Sequence, residues 1–475
     1  MNVQSGSFLV FLAVTAALCC GTARRSRPAA KELLAAACLA AYLSGGGLGG
    51  FLVLGLGTAV SRWAVRRLTR GTPPAQRRQT AAVAACWHIA VLAVFKYTGF
   101  FTGGAVEVGW APLGLSFFTF QQLWLLREVY TGAFRPDTTG DLFLYSFFFP
   151  TITSGPILRP SGFFPQLEAA GFLRPSGGDL AAGGYALCLG MAKKTLLADP
   201  LGIVVGNGWS QLAALTAPAA WTVILAYALQ LYLDFSGYCD IVTGAARLLG
   251  IRLPVNFRLP YRALSVTDFW KHWHITLTTF LRECLYFPLG GSRRGTVRTC
   301  VNILVVFLVS GLWHGAGWTF LVWGALHGLA QVAERLWGPA RERLPKGLRW
   351  GLTFLFVSLA WVFFRAPSLT DAGALLSAAF TPEAGWMAES LTAGVLESEM
   401  TALRTLFPAL SGILPELALA GLLAAGGTAA LWPRSIQERM EDFRPTVWRG
   451  ACCGVLLVWS VLSFSGVATF IYSNF

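Results

Sequence analysis

The chain has 475 residues, of which 55% are hydrophobic and only 13% are charged. Soluble domains carry about 25% charged residues, and the mean hydropathy here is +0.57. This composition excludes a soluble protein and predicts a polytopic membrane protein. The apolar runs follow one another with short connections, so we expect a single membrane-embedded domain over residues 1–475.

The net charge of +14 is unevenly distributed along the chain. Residues 24–78 hold ten basic side chains against one acid, whereas residues 366–403 hold five acids and no base. The positive-inside rule places the basic segment in the cytoplasm and leaves the acidic segment outside. Because no soluble domain is available to carry the charge, we expect no nucleic-acid partner.

The order of charge and apolar residues near the two ends predicts where the termini lie. The first apolar run, Phe8–Cys20, has no Lys or Arg before it, and a basic cluster follows it. This order is wrong for a cleaved secretory signal and predicts a first span with an external N-terminus. Arg434–Arg449 is basic and precedes the last apolar run, so the C-terminus is also predicted outside.

The ten cysteines show no C-x-x-C pair and no metal-ligand spacing, and most lie inside apolar runs. Such cysteines are typical small core residues. We therefore expect no disulfide framework and no metal site.

The apolar runs predict an all-α fold with about ten to twelve membrane-embedded helices, some of them short or re-entrant. Leu33–Val60 has a glycine-rich centre and basic flanks. Two full crossings would need about 40 residues, so this run predicts a short hairpin that returns to the cytoplasmic side. Thr80–Phe101 predicts an outward span and Leu113–Leu126 a return. Later runs predict embedded helices over Leu180–Leu197, Trp221–Leu233, Leu348–Phe364, Leu417–Trp432 and Cys452–Tyr472.

The most informative stretch is Val301–Trp337, in which two apolar runs are separated by SGLWHGAG, with His314 at the interruption. At about 1.5 Å per residue, the run Val301–Gly311 reaches only half-way through a hydrocarbon core of roughly 30 Å. His314 is therefore predicted near mid-depth. An ionisable residue at that depth is a candidate functional residue, and the alternative is a structural hydrogen bond to a neighbouring helix.

A second histidine lies in Asp268–Arg282, which predicts an amphipathic helix with Thr267 or Asp268 as its N-cap. His274 falls at the edge of the apolar arc and can point toward a core or cavity, whereas His272 falls on the polar side. The alternative is an interfacial helix anchored by its tryptophans. The polar, aromatic segment Arg252–Arg298 is placed at the cytoplasmic interface.

Two other histidines carry weaker signals. His327 follows His314 on the next apolar run, four residues after Trp323, and is expected to make a structural hydrogen bond. His88 lies within an apolar run with no motif around it, so no role is predicted for it.

Asp268–Arg294 (DFWKHWHITLTTFLRECLYFPLGGSRR) and Ser310–Trp318 (SGLWHGAGW) together form a highly specific pattern. Both resemble signature segments of the membrane-bound O-acyltransferase family, most closely its alginate O-acetyltransferase branch. The resemblance covers most of the chain from about residue 95 onward, with a core near 95–370 and C-terminal helices over 371–475. Shorter segments that fall in the family's order are Phe95-Lys96-Tyr97, Gly114–Gln121, Ser154–Pro160, Met191–Asp199, Gln230–Asp240, Pro254–Tyr261, Trp361–Pro367 and Phe470-Ile471-Tyr472.

The chain departs from the family pattern at two places. Relatives commonly have Arg-Asp-Tyr where this chain has Arg282-Glu283-Cys284, and Arg-Arg where it has Lys271-His272. Both changes are chemically mild and leave His274 and His314 in place. They bear on the partner or the donor rather than on the reaction class.

The resemblance implies a ring of helices around a central tunnel, with a cytoplasmic and an external funnel that meet near His314. It implies a bacterial inner-membrane enzyme that moves acetyl groups from a cytosolic thioester to an external polysaccharide. The donor would be acetyl-CoA or an acyl-phosphopantetheine carrier, with no permanently bound cofactor. A periplasmic or surface SGNH-type acetyltransferase is the expected partner.

Acyl transfer to a hydroxyl group needs a base, and imidazole suits this role because its ordinary pKa of about 6.5 leaves it mostly neutral at neutral pH. We expect His314 to be the base and His274 to orient the donor or shuttle a proton. No Ser or Cys nucleophile with an adjacent base is apparent, which favours direct transfer over an acyl-enzyme. The residues expected to line a donor or substrate tunnel are Trp313, Gly315, Trp270, Arg282 and Asp268.

Three other functions fit part of the pattern. Many spans, broken helices and an intramembrane histidine also describe a proton-coupled transporter, although no pair of related halves is visible. Within the enzyme class, the alternative is D-alanyl transfer from a carrier protein to a teichoic acid. An inert scaffold for a partner complex would need neither histidine.

Overall fold

In the computed structural model of the protein, residues 5–135 and 141–463 are described. The regular structure in this part of the chain is helical and comprises twenty α-helices. This confirms the predicted all-α fold. In chain order the helices are α1 (Gly6–Ala23), α2 (Arg27–Thr69), α3 (Pro74–Phe101), α4 (Leu115–Thr131), α5 (Leu142–Phe147), α6 (Pro160–Glu168), α7 (Gly177–Ala192), α8 (Asp199–Ser210), α9 (Ala217–Leu248), α10 (Val266–His272), α11 (Ile275–Leu281), α12 (Thr296–His314), α13 (Trp318–Trp337), α14 (Lys346–Arg365), α15 (Leu369–Phe380), α16 (Ala388–Thr392), α17 (Glu397–Leu406), α18 (Leu414–Leu431), α19 (Ile436–Glu441) and α20 (Val447–Leu462).

Seven of the described helices are long and apolar enough to cross a membrane. They confirm the predicted polytopic membrane class, and the shorter helices pack among them. The seven helices are α1, α2, α3, α9, α12, α14 and α18.

Helix α9 lies at the centre of the bundle. In its most apolar stretch 83% of the residues are buried, against 22–39% in the other six spans. It is 32 residues long, far longer than the predicted run Trp221–Leu233. The predicted run is short because two acidic residues after Leu233 lower the hydropathy of the sequence. Asp234 and Asp240 are nevertheless buried, since each pairs at 2.7 Å with a lysine, Lys194 and Lys193 respectively.

Helix α2 turns back at Gly47, whose φ of 66° lies in the left-handed region that glycine adopts at little cost. Lys31 near its start pairs with Asp141, which precedes α5, at 3.2 Å. Arg77 just after its end donates to the carbonyl oxygen of Tyr130, near the end of α4, at 2.8 Å. Both ends of α2 therefore contact the flanks of the connection between α4 and α5, as a hairpin requires. That they face the cytoplasm stays a prediction. The predicted short depth is wrong, since each arm has about 20 residues and is long enough to cross.

Helices α12 and α13 approach each other closely, because glycines face each other at the contact. A Cβ atom on Gly311 would overlap the carbonyl oxygen of Phe320, and one on Gly324 would overlap that of Phe307. The serine and glycine at 310–311 therefore continue the helix instead of breaking it, and α12 runs for 19 residues to His314. At about 28 Å this helix is long enough to cross a membrane, and His314 is its last residue. The mid-depth position of His314 stays a prediction.

The middle of the segment between α9 and α12 is buried in the bundle, where Trp273 and His274 are both 0% exposed, whereas Phe287 near its end is 53% exposed. Its place at the cytoplasmic interface stays a prediction. The predicted continuous helix is wrong, since α10 and α11 are separate seven-residue helices. The N-cap of α10 is Ser265, whose hydroxyl accepts a hydrogen bond from the Asp268 amide at 2.9 Å, and not Thr267 or Asp268.

The C-terminal helices follow the predicted runs. Helices α14 and α18 cover Leu348–Phe364 and nearly all of Leu417–Trp432. Helix α20 covers the first part of the last predicted span. The rest of that span, with Phe470-Ile471-Tyr472 and the C-terminus, lies outside the described residues.

The close approach of α12 and α13 predicts that Gly324→Ala destabilises the protein. Its added methyl group would overlap backbone of α12, and overpacking of this kind typically costs about 1–3 kcal/mol. The apparent melting temperature in detergent should fall. Gly351→Ala on α14 is the matched control, because a Cβ there meets nothing within 4 Å. Equal melting temperatures for the two variants would contradict the packing argument.

Candidate active site

His314 is the last residue of α12, and Gly315–Gly317 separate it from α13. Its ring is surrounded by aromatic side chains and is 1% exposed. The ring centroid lies 4.9 Å from that of Trp313, 5.1 Å from that of Trp323 and 5.1 Å from that of Phe364. The helix ending thus holds an imidazole inside the protein, at the point where the backbone turns.

His274 lies in the break between α10 and α11 with a φ of 44°, a left-handed conformation that is uncommon for residues other than glycine. Strained backbone of this kind is concentrated at functional sites. The ring is fully buried, 4.9 Å from the Phe235 ring and stacked at 6.2 Å on Phe117. The second predicted histidine therefore points into the protein.

Asn256 holds this break in place. Its side-chain oxygen accepts hydrogen bonds from the backbone amide of Thr276 at 3.2 Å, from the Thr276 hydroxyl at 2.9 Å and from His274 Nδ1 at 3.2 Å. The backbone carbonyl of Asn256 also accepts from the Ile275 amide at 2.9 Å. The start of α11 is thus fixed by a residue that lies 18 positions before His274.

The same contacts fix the tautomer of His274. An amide N–H only donates, so the Asn256 atom that accepts from the Thr276 amide is its oxygen. Nδ1 of His274 therefore carries the proton in the neutral ring, and Nε2 keeps a lone pair. Nε2 is buried and has no hydrogen-bond partner in the described residues. It is a nitrogen able to accept a proton.

Trp313 joins the two histidines. Its ring centroid is 6.1 Å from that of His274 and 4.9 Å from that of His314. Its indole N–H donates to the carbonyl oxygen of Ser116 at 3.4 Å, which orients the ring. The two imidazoles predicted from separate segments therefore share one indole.

The other predicted tunnel residues divide into two groups. Gly315 lies beside His314, but a Cβ there would overlap the ring of Phe320, so a protein side chain fills the space expected for a substrate. Trp270 is buried, and its ring lies 5.7 Å from that of Trp323. Asp268 and Arg282 lie farther out, each lining a cavity.

Two adjoining cavities lie beside α10 and α12. The inner one, of about 250 Å³, reaches Trp270 and Ser310, and the outer one, of about 520 Å³, is polar. Both are lined by Thr267, Lys271, Ile303 and Gln331, so they form one cleft. We name this the basic cleft because its lining holds five basic side chains, Lys271, Arg282, Arg335, Arg341 and Arg349, against two carboxylates, Asp268 and Glu334. Glu334 pairs with Arg341 at 3.0 Å.

The basic cleft stops short of the histidines. Ser310 lies one helical turn before His314 on the same face of α12, yet His314 and His274 line neither of its cavities. A third, apolar cavity of about 710 Å³ reaches Trp313 from the side of α3 and α4. Both imidazoles are closed to solvent in the described part of the chain, and neither lines any of these three cavities.

The remaining histidines lie outside this pair. His327 accepts a hydrogen bond from the indole of Trp270 at 3.1 Å, the structural role predicted for it. His272 is half-buried, with Nδ1 2.8 Å from the carbonyl oxygen of Asp268. His88 is bonded to the hydroxyl of Ser61 at 2.9 Å.

Comparison with known proteins identifies the family. Residues 83–369 match the model of the membrane-bound O-acyltransferase (MBOAT) family. A peptidoglycan O-acetyltransferase of Helicobacter pylori is 35% identical over 362 residues, which cover 68% of each chain. A probable alginate O-acetylase of Pseudomonas fluorescens is 38% identical over 271 residues, covering 57% of this chain and 54% of that protein. A teichoic acid D-alanyltransferase of Streptococcus thermophilus is 27% identical over 247 residues, covering 49% of this chain and 59% of that protein.

The family match covers more than half of the chain, so the protein belongs to the membrane-bound O-acyltransferase family. The family resemblance read from the two histidine segments is confirmed, as is the enzyme class, an acyltransferase. The matches span from about half to about two thirds of the length of these relatives.

The sequence predicts no role for Asn256, but in the structure its side chain holds the break that positions His274. Substitution of Asn256 should therefore lower activity. Asn256→Leu removes the acceptor for His274 Nδ1 and Thr276, and misplacement of a catalytic group by about 1 Å costs about 10²-fold in activity. We expect acyl transfer to fall by that factor. Asn207→Leu on α8 is the control, since Asn207 bonds only the carbonyls of Leu391 and Ala393. Full activity in Asn256→Leu would show that the break does not depend on this amide.

Proposed function

We propose that the protein transfers an acetyl group from a phosphate-bearing thioester to a hydroxyl group of a polysaccharide or of peptidoglycan. It would act in the bacterial cell membrane, with the donor on the cytoplasmic side and the acceptor outside, directly or through an external partner enzyme. The observation that carries the proposal is the pair of buried imidazoles on Trp313, with the basic cleft ending one turn before His314.

The choice of acetyl rests on the relatives. The two O-acetylating proteins are 35% and 38% identical to this chain, whereas the D-alanyltransferase is 27% identical. All three names describe transfer of a small acyl group to an extracellular polymer. We therefore favour acetyl as the group transferred and a cell-surface polymer as the final acceptor.

The basic cleft suits the donor. Acetyl-CoA and acyl-phosphopantetheine carriers both bear phosphate groups, which arginine and lysine bind through charge-assisted hydrogen bonds. Lys271 and Arg335 are exposed at the cleft, and in the described chain neither has a carboxylate within 4.0 Å. The inner cavity is lined by apolar groups beside Ser310, which suits an uncharged pantetheine arm.

The chemistry then needs one base near the thioester carbon. A nitrogen of His314 takes the proton from the acceptor hydroxyl, and the oxygen attacks the carbonyl carbon. The carbon–sulfur bond breaks, and the thiolate that leaves takes the proton back from the imidazolium. His274, through Nε2, orients the donor or relays a proton. Since a positioned base contributes only about 10²–10⁴-fold, alignment of the two substrates supplies much of the remainder.

Removal of either imidazole tests this assignment. We expect His314→Ala to lower acetyl transfer by about 10²–10⁴-fold and His274→Ala to cause a severe but incomplete loss. The measurement is transfer of radiolabelled acetyl from acetyl-CoA into surface polymer by membranes that contain equal amounts of protein. His272→Ala and His88→Ala are controls for loss of an imidazole outside the pair. Normal transfer by His314→Ala would refute the assignment.

Charge reversal in the basic cleft tests the donor site. We expect Lys271→Glu and Arg335→Glu to raise the KM for acetyl-CoA by about tenfold or more, with little change in kcat, since a lost phosphate contact weakens ground-state binding. Arg298→Glu is the control, because Arg298 is exposed at the start of α12 and does not line the cleft. If an acetylated carrier protein supports transfer and acetyl-CoA does not, the donor is the carrier, and the KM for the carrier is then the quantity to compare. An unchanged KM with both donors would place the donor elsewhere.

A further inference from the structure

The end of α12 presents a problem of unsatisfied backbone groups. The last four carbonyl groups of any helix have no partner within the helix, and those of α12 belong to residues 311–314. Leaving such a group unbonded inside a protein or membrane is destabilising, because it loses its bonds to water and gains none in return. Because His314 is the last residue of α12, whatever satisfies these carbonyls also fixes where its ring lies.

Two consecutive residues of α3 supply most of the missing donors. The hydroxyl of Tyr97 donates to the carbonyl oxygen of Leu312 at 2.9 Å. The amino group of Lys96 lies 2.5 Å from the carbonyl oxygen of Trp313 and 3.5 Å from that of His314. The carbonyl of Gly311 accepts from the Gly315 amide at 3.2 Å. All four terminal carbonyls therefore have partners, and three of them are held by α3.

The surroundings of Lys96 match this role. Besides the two carbonyls, its amino group contacts the Ser116 hydroxyl at 3.3 Å, so three acceptors face the three protons of an ammonium group. Nζ lies 5.8 Å from the ring centroid of Trp313. In the described chain no carboxylate lies within 4.0 Å of it. The amino group therefore lies at the negative end of the α12 dipole, a position that favours a cation.

We propose that Lys96 is a positioning residue for acyl transfer, which acts by holding the last turn of α12 and with it the rings of Trp313 and His314. This inference rests on the proposed role of His314 as the base. Lys96 does not need to touch either substrate. Its removal leaves two carbonyl groups unsatisfied and lets the turn relax, and misplacement of a catalytic group by about 1 Å costs about 10²-fold.

The experiment compares Lys96→Met, His314→Ala and the double variant in membranes with equal protein. For Lys96→Met we expect kcat to fall about 10–100-fold while the KM values for donor and acceptor stay within about twofold. The double variant should be no slower than His314→Ala alone, because a residue that acts through His314 has nothing left to position. Thr98→Val is the control on α3, since Thr98 is bonded only within its own helix.

Two more variants keep the test decisive if Lys96→Met does not fold. Lys96→Arg retains charge and donors and should keep at least about ten times more activity than Lys96→Met, or remain folded where that variant does not. Tyr97→Phe removes one bond to the same turn and should lower kcat about threefold or more without changing either KM.

The outcomes separate this inference from the proposed function. Multiplied losses in the double variant, a change confined to KM, or normal kcat in Lys96→Met would each overturn the positioning role, provided that His314→Ala alone shows its expected loss. Normal activity in His314→Ala would overturn the proposed function itself, whatever the result at Lys96.

Discussion

A helix that ends inside a membrane protein must have its last carbonyl groups bonded by protein, because lipid offers no donors. In this chain the requirement falls on α12, whose end is held by Lys96 and Tyr97 of α3. The position of that end determines the rest of the site. It places Trp313 beside His314 and aims the indole at His274, so residues about forty positions apart in sequence share one aromatic contact.

The two imidazoles were predictable, but their surroundings were not. His314 interrupts an apolar run, which a sequence reveals directly, and the seven candidate spans are visible as hydropathy. The break at His274 has no local signal, because its helical periodicity is continuous and the bond that opens it comes from Asn256. Similarly, Gly311 suggested a break and Gly315 suggested room for substrate, whereas the structure uses the space at Gly311 for α13 and the space at Gly315 for the Phe320 ring. Long-range contacts decide these features, and one sequence does not contain them.

The closed state of the site has a mechanistic consequence. A base acts only within hydrogen-bond reach of the proton it takes, and both rings are closed to solvent. Substrates of the proposed reaction must therefore displace side chains to reach His314. Trp313 lies beside His314 and lines the apolar cavity, whereas Phe320 packs against Gly315. Closure also excludes water, which in the proposed reaction would compete with the acceptor hydroxyl for the thioester.

The most direct measurement is an experimental structure of the protein in a lipid nanodisc with a non-reactive thioether analogue of acetyl-CoA. The account predicts phosphates against Lys271 and Arg335 in the basic cleft and an acetyl carbonyl carbon about 5–6 Å from the His314 ring, which leaves room for a hydroxyl oxygen within about 3 Å of both. An analogue bound with its acetyl group elsewhere, and with Trp313 still closing off the imidazole, would contradict it.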